Sequence, residues 1–285
     1  MATTTPAPSR IPARPPARPG RSGAGRALDW LREHLVAFCA GLALLYLFLP
    51  VIVVFVFSFN DPTGRFNFQW RQFSLDAWRN PCAASGMCDS LVVSLQIGVL
   101  ATVGATLLGT LLAFALVRHR FRGRSATNLL IFLPMATPEV VMGSSLLALF
   151  VQGGVQRGFW TIFVAHVLFC LSFVVVTVKA RLQGLDPRLE QAAMDLYATE
   201  WQTFRLITLP LVLPGILAAA LLSFSLSFDD FIITNFNSGS TVTFPMFVFG
   251  ANQRGVPPQI NVVGSLMFFA ALGIALAAQY RRKAR

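Results

Sequence analysis

Three acids, Glu139, Asp229 and Asp230, stand inside long apolar runs of this chain. An ionisable side chain in a stretch bound for hydrocarbon is expensive to hold and is generally kept for a function. No lysine or arginine stands at comparable depth in those runs. The acids must therefore carry protons, pair with another chain, or meet a cationic ligand in passage. Phe228 and Phe231 flank the two aspartates. Carboxylates beside aromatic faces suit an alkylammonium, by charge and by cation–π attraction. The competing reading is a cap or interface pair at a helix end for the aspartates, and helix packing for Glu139. Pro134 and Pro138 bracket the approach to Glu139, where freed backbone carbonyls can line a cavity. His166, alone in another apolar run, reads as a satisfied packing residue. No Ser/His/Asp or paired-acid hydrolytic set can be assembled on one side of a membrane, so no catalytic residue is assigned. Four cysteines without a CxxC pair or a Cys/His cluster offer no structural metal site.

The runs that must position these acids define the chain. Hydrophobic residues make up 55% of it and charged residues only 12%, against roughly 25% in soluble domains. The expected fold is an all-α, polytopic transmembrane bundle. Six runs, 35–59, 91–117, 129–151, 159–178, 211–233 and 262–280, are each near the ~20 residues that cross a bilayer. The net charge of +11 invites a nucleic-acid partner. The cations instead cluster at the ends of the runs, so lipid is the expected surface and nucleic acid is not. With both termini in the cytoplasm, the inside segments collect Arg118, Arg120, Arg122, Arg124, Lys179, Arg181, Arg188, Arg205 and the basic residues of both ends. Only Arg65, Arg71, Arg79, Arg157 and Arg254 remain outside, the asymmetry of a multi-pass protein of the cell membrane. The first run is long enough to span and no small-residue cleavage site follows it, so a secretory signal peptide is not expected. Residues 1–26, rich in Pro, Ala and Arg, are expected to be a disordered basic cytoplasmic tail. Residues 27–285 then form one six-helix domain with a cytoplasmic loop at 182–209.

Outside, residues 60–90 carry Phe66, Phe68, Trp70, Phe73 and Trp78, rings suited to a membrane interface or a docking surface. Cys82 and Cys88 lie six positions apart on this oxidising side and can form a disulfide, with two free thiols as the alternative. In the second run Ala101, Ala105, Gly109 and Ala113 recur every fourth place, allowing close helix approach within the chain or between subunits. The Gly104 to Gly109 spacing imitates a phosphate loop but lacks its lysine, and reads as packing.

The most informative cytoplasmic stretch is Leu185 to Ile216. Asp186 followed by Pro187 is a helix start. Leu189, Ala192, Ala193 and Leu196 follow on one face. Thr199 with Gln202 forms a second start, a capping box, and Pro210 is expected to close that second helix. Glu190-Gln-Ala-Ala, followed by Ile207-Thr-Leu-Pro210, resembles the EAA loop of permease subunits of ABC importers. Two positions depart from that pattern: Gln191 replaces the glutamate before the paired alanines, and Tyr197 replaces a glycine. Tyrosine does not reach left-handed backbone angles cheaply, so the bend between the helices lacks its usual residue.

The resemblance extends through Arg118-His-Arg-Phe-Arg-Gly-Arg, Leu133-Pro-Met-Ala-Thr-Pro-Glu139, the 225–234 stretch around Asp229-Asp230, and Gly255-Val-Pro-Pro-Gln-Ile-Asn261. These are similar to the spermidine/putrescine branch, from residue 35 to the C-terminus. The resemblance implies a type I ABC importer permease fold and a permease without enzymatic chemistry or a cofactor of its own. ATP and Mg would sit on separate ATPase subunits. A second permease subunit, two ATP-binding subunits and an extracytoplasmic solute-binding protein are the implied partners. It assigns ATPase coupling to Glu190, Gln191, Ala192, Ala193, Asp195, Leu196 and Tyr197. The ligand path is read at Glu139, Asp229, Asp230, Phe228 and Phe231. The rival reading is a secondary transporter driven by an ion gradient through the same three acids. No internal repeat supports it, and it leaves the twice-capped loop without a role.

Overall fold

The computed structural model describes residues 23–283. The expected tail therefore lies outside the described residues, except for its last four, which form the first turn of a helix. Apart from one antiparallel bridge between Asn60 and Phe73, the regular structure among the described residues is helical. The elements are α1 (Gly23–Phe57), α2 (Asp76–Arg79), α3 (Met87–Arg118), α4 (Arg124–Ala136), α5 (Glu139–Gln152), α6 (Phe159–Gln183), α7 (Pro187–Asp195), α8 (Glu200–Thr203), α9 (Leu209–Asp229), α10 (Ile232–Asn237), α11 (Phe244–Arg254) and α12 (Pro258–Lys283). A π turn, Phe204–Thr208, joins α8 to α9. The chain divides into two units, up to Val53 and from Val54 onward.

Among the described residues, five helical stretches are long and apolar enough to cross a membrane: Glu33–Phe57, Met87–Arg118, Phe159–Gln183, Glu200–Asp229 and Pro258–Ala277. The sixth expected span is not one helix. Its run divides into α4 and α5, bent by 109° at Thr137 and Pro138. Pro138 lacks the amide that would continue α4 and disfavours helical angles at the residue before it. The pair is a broken span or a re-entrant loop, so the described residues hold five unbroken candidate spans, or six with the pair taken together.

The second unit is built on α3, α6 and α9. Ala105, Ala113, Phe169, Val174, Val178, Val212 and Ala219 form its shared interior. The small-residue row of α3 faces inward: Ala101, Ala105 and Ala113 are fully buried, and a Cβ on Gly109 would meet Val174 at 2.6 Å. The row thus serves packing within the chain, where backbone approach replaces side-chain bulk.

Candidate functional site

At one end of this core lies the charged loop. Asp186 accepts a hydrogen bond from the Arg188 amide and starts α7, with Pro187 at its first position. Thr199 and Gln202 bond reciprocally and start α8. Pro210 does not close the second helix, contrary to expectation. In the π turn Leu209 donates to the Phe204 carbonyl, which shifts the bonding register. Pro210 then enters at the beginning of α9, where its missing donor costs little. Residues Glu200–Asp229 consequently run as one helical span.

The residues expected to couple to an ATPase separate into two groups. Glu190 turns inward, where Arg118 and Thr208 both donate hydrogen bonds to its Oε1. Arg118 ends α3 and also reaches Thr208 at 3.3 Å. Its guanidinium sits over the Phe114 ring, and Phe114 in turn meets Phe204 edge-on. Ala193 is 7% exposed and packs inward as well. The single face expected for Leu189, Ala192, Ala193 and Leu196 is thus divided, since the other three are exposed. Gln191, Ala192, Asp195, Leu196 and Tyr197 point outward, with Leu189, Met194 and Trp201 completing an apolar surface on the loop.

A second polar cluster lies inside the bundle. His166 on α6 is 1% exposed. Its Nδ1 is 2.7 Å from the Ser227 hydroxyl, and its Nε2 is 2.9 Å from Thr234 Oγ1 and 3.3 Å from Asp230 Oδ2. Asp230 Oδ2 also accepts from the amide and hydroxyl of Thr234, at 2.8 and 2.9 Å. The carboxylate therefore caps α10 at the break after α9 while holding α6 to it. Buried polar groups are tolerated when satisfied in this way.

The neighbouring acids are placed differently. Asp229 ends α9 and is exposed. Phe228 stacks on Phe224 and approaches Phe244, while Phe231 lies against Phe249 with centroids 4.5 Å apart. Both rings are half-buried beside Asp229. Glu139 is not within a continuous span. It is the first residue of α5, exposed, immediately past the 109° break. At the opposite end of α3 from Arg118, Cys82 and Cys88 are joined in a disulfide with Cα atoms 5.5 Å apart.

The model of one protein family, the binding-protein-dependent transport system inner membrane component, matches residues 105–280. The chain belongs to that family. The permease is 38% identical over 235 residues to the spermidine/putrescine transport system permease protein PotC of Haemophilus influenzae, covering 82% of this chain and 91% of the other. It is 38% identical over 237 residues to the putrescine transport system permease protein PotI of Escherichia coli, covering 80% and 83%. In fold it is similar to a subunit of a bacterial alginate ABC transporter solved with an alginate pentasaccharide-bound periplasmic protein, with TM-score 0.65 over 91% of this chain and 95% of that one, at 15% identity. An ABC importer permease is thereby favoured over the ion-gradient transporter.

Within this permease, three partners of the candidate residues were hidden from sequence reasoning. Arg118 and Thr208 lie 72 and 18 positions from Glu190, and His166 lies 64 from Asp230. No local spacing signals such pairs. Tyr197 departs from the expected difficulty in an instructive way. It takes φ 63°, as the missing glycine would, and is the only described residue other than glycine with a left-handed φ. Its side chain is 96% exposed. The bend is therefore present, at a backbone cost of about 1–2 kcal/mol. Tyr197→Gly is expected to keep the bend and, net of glycine's greater freedom when unfolded, to change stability by less than about 1 kcal/mol. Thermal unfolding of the purified chain checks this, and a large loss would mean that the tyrosine ring carries contacts.

Proposed function

We propose that this permease is one half of the translocation pathway of an ATP-driven importer for polyamines or related small cationic amines. The observation that carries the substrate class is the 38% identity, over more than four-fifths of the chain, to permeases named for spermidine and putrescine. The exposed Asp229 beside Phe228 and Phe231 supports it, since a carboxylate flanked by rings suits an alkylammonium. Asp230 contributes through the scaffold, and Glu139 offers a second exposed carboxylate at the broken span.

One of two ATPase subunits docks on the loop of α7 and α8, through the outward apolar surface of Leu189, Leu196, Tyr197 and Trp201, and the other docks on the second permease. A second permease completes the pathway, and a solute-binding protein delivers the amine from outside. ATP and its Mg ion belong to the ATPases, and this chain adds no catalytic group. When the ATPases close, α7 moves with them, and Glu190 passes that motion to α3 and α9 through Arg118 and Thr208. The helices then rock the pathway outward, and hydrolysis returns it.

Orientation follows from α3. Its first turn adjoins the disulfide, a bond of oxidising compartments, and its last residue holds the α7 loop. On this ground the proposal puts the loop in the cytoplasm. The test is uptake of radiolabelled putrescine into proteoliposomes containing the permease with its partner subunits. Uptake that requires ATP and binding protein is expected. Uptake by this chain alone, driven by an ion gradient, would refute the proposal.

A further inference from the structure

A cavity of about 690 Å³ opens at the disulfide end of the second unit. Arg65, Ala84, Ser85, Gly86, Phe247 and Arg254 are among its lining residues. Three separate pieces of chain meet there: the loop after α1, the loop closed by Cys82 and Cys88, and α11. The pieces are fixed to one another. The Asn67 amide donates to the Val256 carbonyl at 3.1 Å. Gly255 approaches so closely that a Cβ would stand 2.7 Å from the Arg65 carbonyl oxygen. Asn60 and Asn67 bond each other at 2.6 Å and brace the loop from within. The Phe244 amide donates to Ser94, seating the start of α11 on α3. A cavity with such walls is formed before any partner arrives, which lowers the entropy cost of filling it.

Its charge is one-sided. Arg65 and Arg254 are exposed on its wall, no acid lines it, and neither arginine is in an ion pair among the described residues. Two unpaired guanidinium groups repel a polyamine, so the cavity does not belong to the cation's path. They match carboxylates, which arginine can grip through two parallel hydrogen bonds. The cation's candidate residue lies close by, because Phe228, beside Asp229, meets Phe244 at the start of α11. A basic recess thus adjoins an acidic path at the end where a carrier of cations would arrive.

We infer that this cavity is the seat of an acidic side chain on the solute-binding protein, with Arg65 and Arg254 as its two grips. The inference rests on the functional reading above. The seat holds the carrier by its acid while the released amine, repelled by the arginines, is drawn towards Asp229.

The complete transporter in nanodiscs, titrated with its putrescine-loaded binding protein, tests this through stimulation of ATP hydrolysis. In R65E/R254E the half-stimulating concentration is expected to rise about tenfold or more, with the maximal rate regained at saturation. R65Q/R254Q should fall between it and the wild type, and raised salt should weaken the wild type more than either variant. A lysine replacing the matching acid of the binding protein should restore the charge-reversed permease. An unchanged half-stimulating concentration overturns the seat. So does a loss that appears without binding protein and follows the anionic phospholipid content, which would assign the arginines to lipid phosphates. A wild-type transporter that ignores the binding protein altogether refutes the functional reading itself.

Discussion

Glu190→Ala is expected to cut amine uptake by the assembled transporter at least about tenfold while ATP hydrolysis continues. The side chain accepts from Arg118 and Thr208 together, and so joins α7 to the last turn of α3 and to the π turn that begins the α9 span. Hydrogen bonds to a charged group contribute about 1.5–3 kcal/mol each. With the carboxylate gone, α7 keeps its caps and its buried Ala193 but loses its charged tie to those two helices. An attached ATPase would then move a loop that no longer moves the pathway. The measurement is uptake per ATP hydrolysed in proteoliposomes. Arg118→Ala should act in the same way, and the double variant should be little worse than either single one, because both remove one interaction. Wild-type stoichiometry in Glu190→Ala would show that force reaches the spans by another route.

Asp230→Ala is expected to destabilise the chain by about 1–3 kcal/mol for each buried donor it leaves without an acceptor. It strips His166 of a neighbour 3.3 Å away and leaves the Thr234 amide and hydroxyl without their acceptor inside the bundle. Asp229→Asn should behave otherwise, since that side chain is exposed. Its expected effect is an increase of about tenfold in the half-saturating concentration of a diamine, with a smaller change for a monoamine and unchanged unfolding. Thermal unfolding in detergent and competition between the two amines separate the variants. If Asp230→Ala unfolds like the wild type, the pair with His166 does not hold the break between α9 and α10. If Asp229→Asn weakens both amines equally, its charge does not read the ligand.

Helix starts were legible in the sequence wherever the cause is local. Asp186 with Pro187 and Thr199 with Gln202 are short-range chemistry, and both caps form. The apolar runs were legible because hydrocarbon thickness sets their length. Three features were not. Pro134 and Pro138 both suggest disturbance, but Pro134 stays inside α4 and the chain turns only at Pro138, a difference between two prolines that the residue type alone does not signal. The π turn that carries α8 into α9 has no residue signature, so Pro210 reads as a stop in the sequence alone. The third is the division of labour between adjacent acids. Asp229 and Asp230 share composition and position, and only the fold brings His166 to one of them and leaves the other open.

The length of α3 has a mechanical consequence. Its 32 residues make a rod of roughly 48 Å, clamped at one tip beside a covalent loop and at the other by Arg118 to Glu190. No proline interrupts it. A stiff strut gripped at both tips needs no relay of rearranging side chains along its length. In the proposed importer, a tilt imposed at one face of the bilayer would appear at the other as displacement of the opposite tip, so that arrival of cargo and stroke of the engine would be two readings of a single rotation.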